Sequence, residues 1–388
     1  MRSVGRCPEF PDMQDSWDSK KGKTRAMNLW QDRVNKFSLE LKKEGLDAAV
    51  LLNAANIRYF TDLRMNPAAE SIAVITSAGE IIYFVAPLDF KRAKLNCWIP
   101  EIIPFPESVS NHLLPLTDFF KKRAIKRLGF ESDSISHKYY CFLRDDLSAE
   151  LVSCSEGLVV LRSIKTPEEI DSIRKAAAIV DTAMQECMMM LSEGITESKL
   201  TGYARYVFER EGAEGAAFDP FVASGENSWL PQRFPSNKRI MPGEMILFDM
   251  GAVYNGYCSD LTRTMAIGGL NPEQMDIFEV AYAAQQKAIR AVKPGVSVGY
   301  IDEVARDHIA QAGYGDCFPH ITGHGVGLSI HEYPIVSGGN DHILCENMVI
   351  TVEPGIYLEN VGAARVEDMV LVTNDSCEVL TKTKRELV

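Results

Sequence analysis

The sequence predicts an α+β protein of two domains, and three features point there. At 388 residues the chain exceeds one ordinary core, because domains run to roughly 100–200 residues. The first 160 residues alternate short strand-like and helical runs, the pattern of a small α/β unit. Beyond them, a long amphipathic helix precedes apolar runs punctuated by hairpin-turn signals, with acids set inside those runs.

Composition narrows the class. A chain that is 46% hydrophobic and 24% charged is globular, which excludes disordered and fibrous proteins. With 53 acidic against 41 basic side chains, the net charge of −12 disfavours nucleic acid as the partner. No stretch approaches the roughly 18–20 apolar residues of a membrane span. Residues 1–26 mix charges of both signs without an apolar segment, so they are no cleavable signal peptide; they read as a leader or disordered extension before Met27. Nine scattered cysteines, none spaced C-x-x-C, read as reduced thiols of a cytoplasmic protein.

From Met27 onward, Trp30, Val34, Phe37 and Leu41 share one helical face, and Gly45 follows where a helix C-cap wants it. AAVLL (48–52), SIAVIT and IIYFVAP read as strands, the last two joined by a turn at Ala78-Gly79. A helix at LTDFFKKRAIKR and a strand at LGFES complete a first unit that carries no catalytic constellation. Near residue 160 a second unit opens. Thr166 caps its first helix, Pro167 suits the first helical position and Glu169 completes a capping box. Ile170, Ile173, Ala177, Val180, Met184, Met188 and Leu191 form its apolar face, and the methionine cluster reads as core packing.

The carboxylates of this second unit need an explanation. In MILFDMGAVYNGYCSDLTRTM, Asn255-Gly256 is a strong hairpin signal. Counting outward places Gly251 opposite Asp260 and puts Asp249 on the same face, two residues farther. Two carboxylates aimed at one spot repel, and their burial costs several kcal/mol unless a cation joins them. The plainer alternative is an exposed Asp and an ordinary strand-end Asp. Glu353 and Glu367 form a similar pair about Asn360, with Pro354-Gly355 positioned to shift the register. Between the pairs lie His320, His324 and His331, with glycines at 323, 325 and 327 that would let the backbone approach a site. Four carboxylates neutralise two divalent ions, so these residues suit a two-metal hydrolytic centre bridged by water or hydroxide.

At these residues the chain resembles the pita-bread metallopeptidases, the group of methionine aminopeptidase, aminopeptidase P and prolidase, with creatinase as a relative. The resemblance rests on the order Asp249, Asp260, His324, Glu353, Glu367 and covers most of residues 160–388. NLWQDRVNKF and NAANIRYFTDL resemble the N-terminal domain of the creatinase and prolidase branch, which methionine aminopeptidases generally lack. The resemblance implies three parts: the extension at 1–26, a creatinase/prolidase-like domain at 27–160, and a pseudo-symmetric pita-bread catalytic domain at 161–388. It implies two divalent ions, of Mn, Co, Fe or Zn with Mn favoured by the family, held by those five side chains. Asp260 and Glu367 would contact both ions, His324 one, and Glu353 the other while handling the proton of the nucleophile. His331 would meet the substrate carbonyl or the tetrahedral intermediate, and His320 would join the catalytic group. Arg365 and Phe218 would lie with the substrate. Cleavage of Xaa-Pro bonds in peptides by a metal-bridging hydroxide, and a homodimer, are the further implications.

Two positions depart from the family. Gln232 stands where a histidine usually follows Leu-Pro, and Ile335 where many prolidases place an arginine near the substrate carboxylate. Gln cannot carry positive charge, and Ile makes no hydrogen bond. Both losses count against strict dipeptidase activity and favour longer Xaa-Pro peptides or a non-peptide amide. A metal-dependent hydrolase or lyase of a small molecule on the same fold is the alternative. A non-catalytic binding protein is a third class, against which stands the retention of all five ligands.

Overall fold

The computed structural model describes residues 19–66, 69–106, 113–147, 149–231 and 234–385, with side chains from Leu29 onward. Its contacts divide the chain between Leu161 and Arg162.

The first unit begins with α1 (Ser19–Lys43), which starts eight residues before the expected Met27. Val34, Phe37 and Leu41 bury its apolar face, and Gly45 ends it with φ +68°. There follow β1 (Ala48–Leu51), α2 (Ala54–Thr61), β2 (Ser71–Thr76), β3 (Ile81–Val85), α3 (Pro87–Asn96), β4 (Glu101–Pro104), α4 (Leu114–Lys122), β5 (Arg127–Phe130), α5 (His137–Asp146), β6 (Glu150–Ser153) and α6 (Ser155–Ser163). The strands form one mixed sheet in the order β4-β3-β2-β1-β5-β6. Its hairpin β2–β3 turns at Gly79, φ +90°, where the sequence places the turn. The helix expected to reach residue 127 stops at Lys122, because Ala124 adopts φ +54° and the chain enters β5.

The second unit contains α7 (Pro167–Met190), α8 (Glu197–Arg210), β7 (Gly215–Ala216), β8 (Phe221–Ser224), β9 (Met245–Met250), β10 (Ala252–Tyr254), β11 (Tyr257–Cys258), β12 (Leu261–Ala266), α9 (Pro272–Ala291), α10 (Val298–Gln311), β13 (Gly323–Gly325), β14 (Glu332–Val336), β15 (Val349–Val352), β16 (Gly355–Leu358), β17 (Gly362–Arg365), β18 (Asp368–Val372) and β19 (Cys377–Val379). The capping box at Thr166 and Glu169 is formed in both directions. Along α7, Ile173, Ala177, Val180, Met184 and Cys187 are fully buried. Each larger aliphatic contributes about 1.5–3 kcal/mol by leaving water. The methionine cluster is only partly core. Met184 is buried and Met188 packs against the core, whereas Met189 and Met190 are exposed because successive helical residues turn away by about 100°.

The unit is built twice over. Helices α7 and α8 cover the sheet β12-β9-β8, and α9 and α10 cover β14-β13-β15-β18-β19. In both halves the second helix is capped by a hydroxyl residue, Thr196 or Ser297, that also makes a lone strand bridge, to Arg239 or Ile343. No helix among the described residues is long and apolar enough to cross a membrane. Among the described residues seven cysteines are free thiols, but Cys345 is disulfide-bonded, so the expectation of uniformly reduced thiols fails there; such a pairing depends on spatial proximity that spacing does not report.

Arg263 ties the halves together. Fully buried, it donates to Asp368 Oδ1 at 2.8 Å and to the carbonyls of Thr262, Glu367, Thr383 and Lys384. Its removal takes one of two arginine partners from the fully buried Asp368, leaving Arg385, Gln285 and Thr381, and removes the guanidinium donors of four carbonyls. Arg263→Met is therefore expected to cost about 3–5 kcal/mol in denaturant unfolding, and a loss under about 1 kcal/mol would contradict this account.

Candidate metal centre

Two hairpins deliver the acids. Asn255 and Gly256 both have positive φ, +51° and +83°, the requirement of a tight type I′ turn. From that turn one register runs outward through Tyr254↔Tyr257, Val253↔Cys258 and Leu261↔Met250 to Thr262↔Asp249, so Gly251 stands opposite Asp260. Only glycine fits there: a Cβ on Gly251 would sit 2.1 Å from the Ser259 carbonyl oxygen and 2.7 Å from the Phe218 ring. In the second hairpin, Gly355↔Arg365 and Val352↔Asp368 obey one register. Pro354-Gly355 thus produces no shift, and Glu353 stands opposite Glu367. Asn360 turns this hairpin with φ +66°.

His324 lies on β13. The flanking glycines have a reason other than the expected approach to a site. A Cβ on Gly323 would fall 2.0 Å from Thr351 O, on Gly325 2.3 Å from Tyr333 O, and on Gly327 2.4 Å from Glu332 Oε2. They clear neighbouring strands and one buried carboxylate. The His324 Nδ1 lies 3.0 Å from the Gly325 carbonyl, which only accepts, so Nδ1 carries the proton. Its Nε2 is left facing Glu353 Oε1 at 3.3 Å and Asp260 Oδ2 at 3.5 Å.

The carboxylates have too few partners for their charge. Ligand-type atoms of Asp260, His324 and Glu367 all lie within 4.8 Å of one another. Thr262 Oγ1 donates to Glu367 Oε2 at 2.8 Å, Thr351 Oγ1 to Glu353 Oε1 at 3.2 Å, and Arg365 to Asp249 Oδ2. The remaining Asp249 Oδ1 and Glu367 Oε1 are buried with no hydrogen-bond partner. Burial pushes the Asp249 carboxyl up to about 6 against the pull of Arg365. Burial, reinforced by neighbouring carboxylates, raises Asp260 and Glu367 well above the usual range. Burial also opposes ionisation of Glu353, but its hydrogen bond to His324 and the imidazole charge outweigh that and bring it down to about 2. Unpartnered carboxylate oxygens beside an imidazole nitrogen form a donor set that fits divalent transition cations.

A cavity of about 850 Å³ opens over these groups. Asp249, Asp260, His324, Glu353, Glu367, His320, His331, Arg365 and Phe218 all line it. Ile335, expected with the substrate, does not: it pairs across the ladder with His324, just before a bulge shifts the register. Gln232 lies outside the described residues. Much of the remaining lining is apolar, from Phe218, Phe221, Pro231, Phe234, Pro319 and Ile330.

Two expected substrate or catalytic groups are already engaged. Arg365 donates to Asp249, to Tyr357 Oη at 2.8 Å and to Thr262 Oγ1 at 3.1 Å. His320 Nδ1 lies 2.8 Å from the Ile321 carbonyl and Nε2 2.9 Å from Tyr357 Oη. Burial lowers the His320 pKa, so the ring is neutral, donates through Nδ1 and accepts the tyrosine proton at Nε2. Sequence reasoning missed Tyr357, Thr262 and Thr351. Thr262 was within reach, since it shares a strand face with Asp260; nothing in the pattern singles out Tyr357.

Residues 171–374 match metallopeptidase family M24, and residues 33–164 match the creatinase/prolidase N-terminal domain. The Xaa-Pro dipeptidase of Pyrococcus horikoshii is 36% identical over 364 residues, 93% of this chain and all of that protein. The crystal structure of the prolidase from the same organism superposes with a TM-score of 0.85 at 35% identity, covering 92% of this chain and 100% of that one. An X-Pro aminopeptidase from Thermotoga maritima superposes with a TM-score of 0.83 at 31% identity, over 92% of this chain and 98% of that one. Matching fold, domain pair and acidic cavity have one reading: the chain is a peptidase belonging to metallopeptidase family M24, with the pita-bread fold and a creatinase/prolidase N-terminal domain.

Proposed function

We propose that this peptidase cleaves Xaa-Pro bonds with two divalent cations held by Asp249, Asp260, His324, Glu353 and Glu367. The observation that carries the reading is the pair of buried, unpartnered oxygens, Asp249 Oδ1 and Glu367 Oε1, in a cavity where four acids converge. Bound there, the cations supply Lewis acidity and lower the pKa of water. Glu353, ionised and hydrogen-bonded by Thr351, is the group that accepts a proton in the cavity. His331 is exposed at the cavity edge, its ring centroid 4.3 Å from that of His324, and is the donor that meets the substrate carbonyl.

His320, with both nitrogens engaged, forms wall and does not carry protons. Arg365 holds Asp249 in place. The apolar wall suits a pyrrolidine ring, whose tertiary amide offers no N–H to satisfy. Among the described lining residues the one guanidinium is Arg365, and its committed hydrogen bonds leave it poorly placed to take up a dipeptide's free carboxylate. This supports peptides longer than Xaa-Pro as the substrates. Manganese and a homodimer belong to the same reading on the family resemblance, and a cytoplasmic location on the seven free thiols among the described residues, against which the Cys345 disulfide counts.

Metal analysis of purified protein is expected to find two cations per chain. Asp260→Asn should lose them and lower turnover by more than about 100-fold, the ceiling for outer-shell partners; retained activity would sink the mechanism. Tripeptides Xaa-Pro-Xaa are expected to turn over faster than Ala-Pro and Gly-Pro, and Gln232→His to raise dipeptide turnover. Fast turnover confined to dipeptides overturns that part.

Stability should report the same charges. A carboxyl whose folded pKa is raised binds its proton more tightly when folded, so its contribution is fully present below the unfolded pKa and is lost as pH rises through the folded value. For Asp249 that window runs from 3.8 to about 6, and for Asp260 and Glu367 it extends higher. Glu353 has the opposite sign, with stability lost as pH falls from 4.5 toward about 2. Above about pH 5 only the loss on raising pH remains, and cations replace the protons. The gap in Tm between manganese-loaded and chelator-stripped protein is thus expected to widen from about pH 5 to about pH 7.5, and a constant gap contradicts this.

A further inference from the structure

A buried charge cluster that the metal site does not use lies against the segment carrying His331. The Glu332 side chain is 6% exposed, with Arg162 at 12% and Lys165 at 1%. Arg162 donates to Glu332 Oε1 and, at 3.1 Å, to Ser329 Oγ. Lys165 Nζ lies 3.5 Å from Glu332 Oε2, and the Ser329 N–H donates to Oε1 at 2.8 Å. Gly327 leaves the space for this carboxylate, and its N–H donates to Ser329 O at 3.1 Å. The Gly327 carbonyl accepts the Cys258 N–H at 2.7 Å, from the hairpin that presents Asp260. Residues 327–332 therefore fold over their own carboxylate, and the two that they leave facing the cavity are Ile330 and His331. Burial opposes ionisation of Glu332, but the charges of Arg162 and Lys165 outweigh it.

Stability alone does not account for three buried charges, because such clusters often exchange for apolar residues at no loss. Geometry does. His320 and His324 are oriented by hydrogen bonds at their ring nitrogens, whereas among the described residues no hydrogen bond holds the His331 ring. Apart from its ring contact with His324, its direction depends on its backbone, and the adjoining Glu332 carboxylate accepts from the segment's Ser329 N–H. We propose that Glu332, locked between Arg162, Lys165 and the Ser329 amide, is a positioning residue that aims His331 into the cavity. This rests on the reading of His331 as the group that meets the substrate.

A double-mutant cycle on manganese-loaded protein tests it. Glu332→Gln is expected to lower kcat by about 10- to 100-fold, the loss that about an ångström of misplacement brings, with KM and metal content unchanged. In a His331→Ala background the same change should lower kcat less than about threefold, because the residue it acts through is gone. Equal losses in both backgrounds, unchanged kcat in Glu332→Gln, or loss of metal would overturn the proposal. An unaltered kcat in His331→Ala alone would instead remove the role of His331. Should Glu332→Gln fail to fold, Glu332→Asp takes its place in the cycle, since it keeps the charge and draws the segment in by one methylene.

Discussion

Four carboxylates sharing one low-dielectric cavity are the constraint around which the rest of the second unit is arranged. Two unit charges about 4 Å apart interact by about 4 kcal/mol at the effective dielectric of a protein surface, and more when water is excluded. Arg365 is the one cation of fixed charge that lines the cavity among the described residues, and it faces Asp249. Protons or metal ions must make up the difference. Such a site is unfavourable to build and useful once built, because the same unmet charge that resists folding is what attracts divalent cations.

Holding that charge in place takes a scaffold with little freedom. Each hairpin carries its two acids in unbroken register from a turn with positive φ, and Gly251 makes room for the Ser259 carbonyl and the Phe218 ring. Thr262 steadies Glu367 and Arg365, Arg365 steadies Asp249, and Tyr357 links Arg365 to His320. Behind them Arg263 and Asp368 join the strands that present Thr262 and Glu367. Glu169 closes the cap of α7 and accepts from Tyr257, which connects the helix to the first hairpin. Polar groups that have no chemistry of their own fix the side chains that do.

Much of this was legible because hairpin geometry is arithmetic. A turn signal at Asn255-Gly256 and period-two alternation are enough to place Asp249, Gly251 and Asp260 across a ladder. The capping box at Thr166 is equally local. What failed to show was contact between distant segments. The role of Gly327 depends on Glu332, the hydrogen bonding of His320 on Tyr357, and the divided fate of the methionines on which side of α7 meets a sheet. Ile335 was placed near the substrate by the family resemblance, yet it pairs across the ladder with His324 and is absent from the described lining.

The sequence by itself determined the fold class and, through the order of its acids and histidines, the family resemblance, and it put forward the side chains proposed to hold metal. Only the tertiary structure decided which of those side chains retain unmet hydrogen-bonding capacity. Asp249 Oδ1 and Glu367 Oε1 are left open, while Arg365 and His320 are spent on neighbours. Satisfaction of a buried polar atom is a property of everything within about 3 Å of it, and those atoms come from strands more than a hundred residues apart.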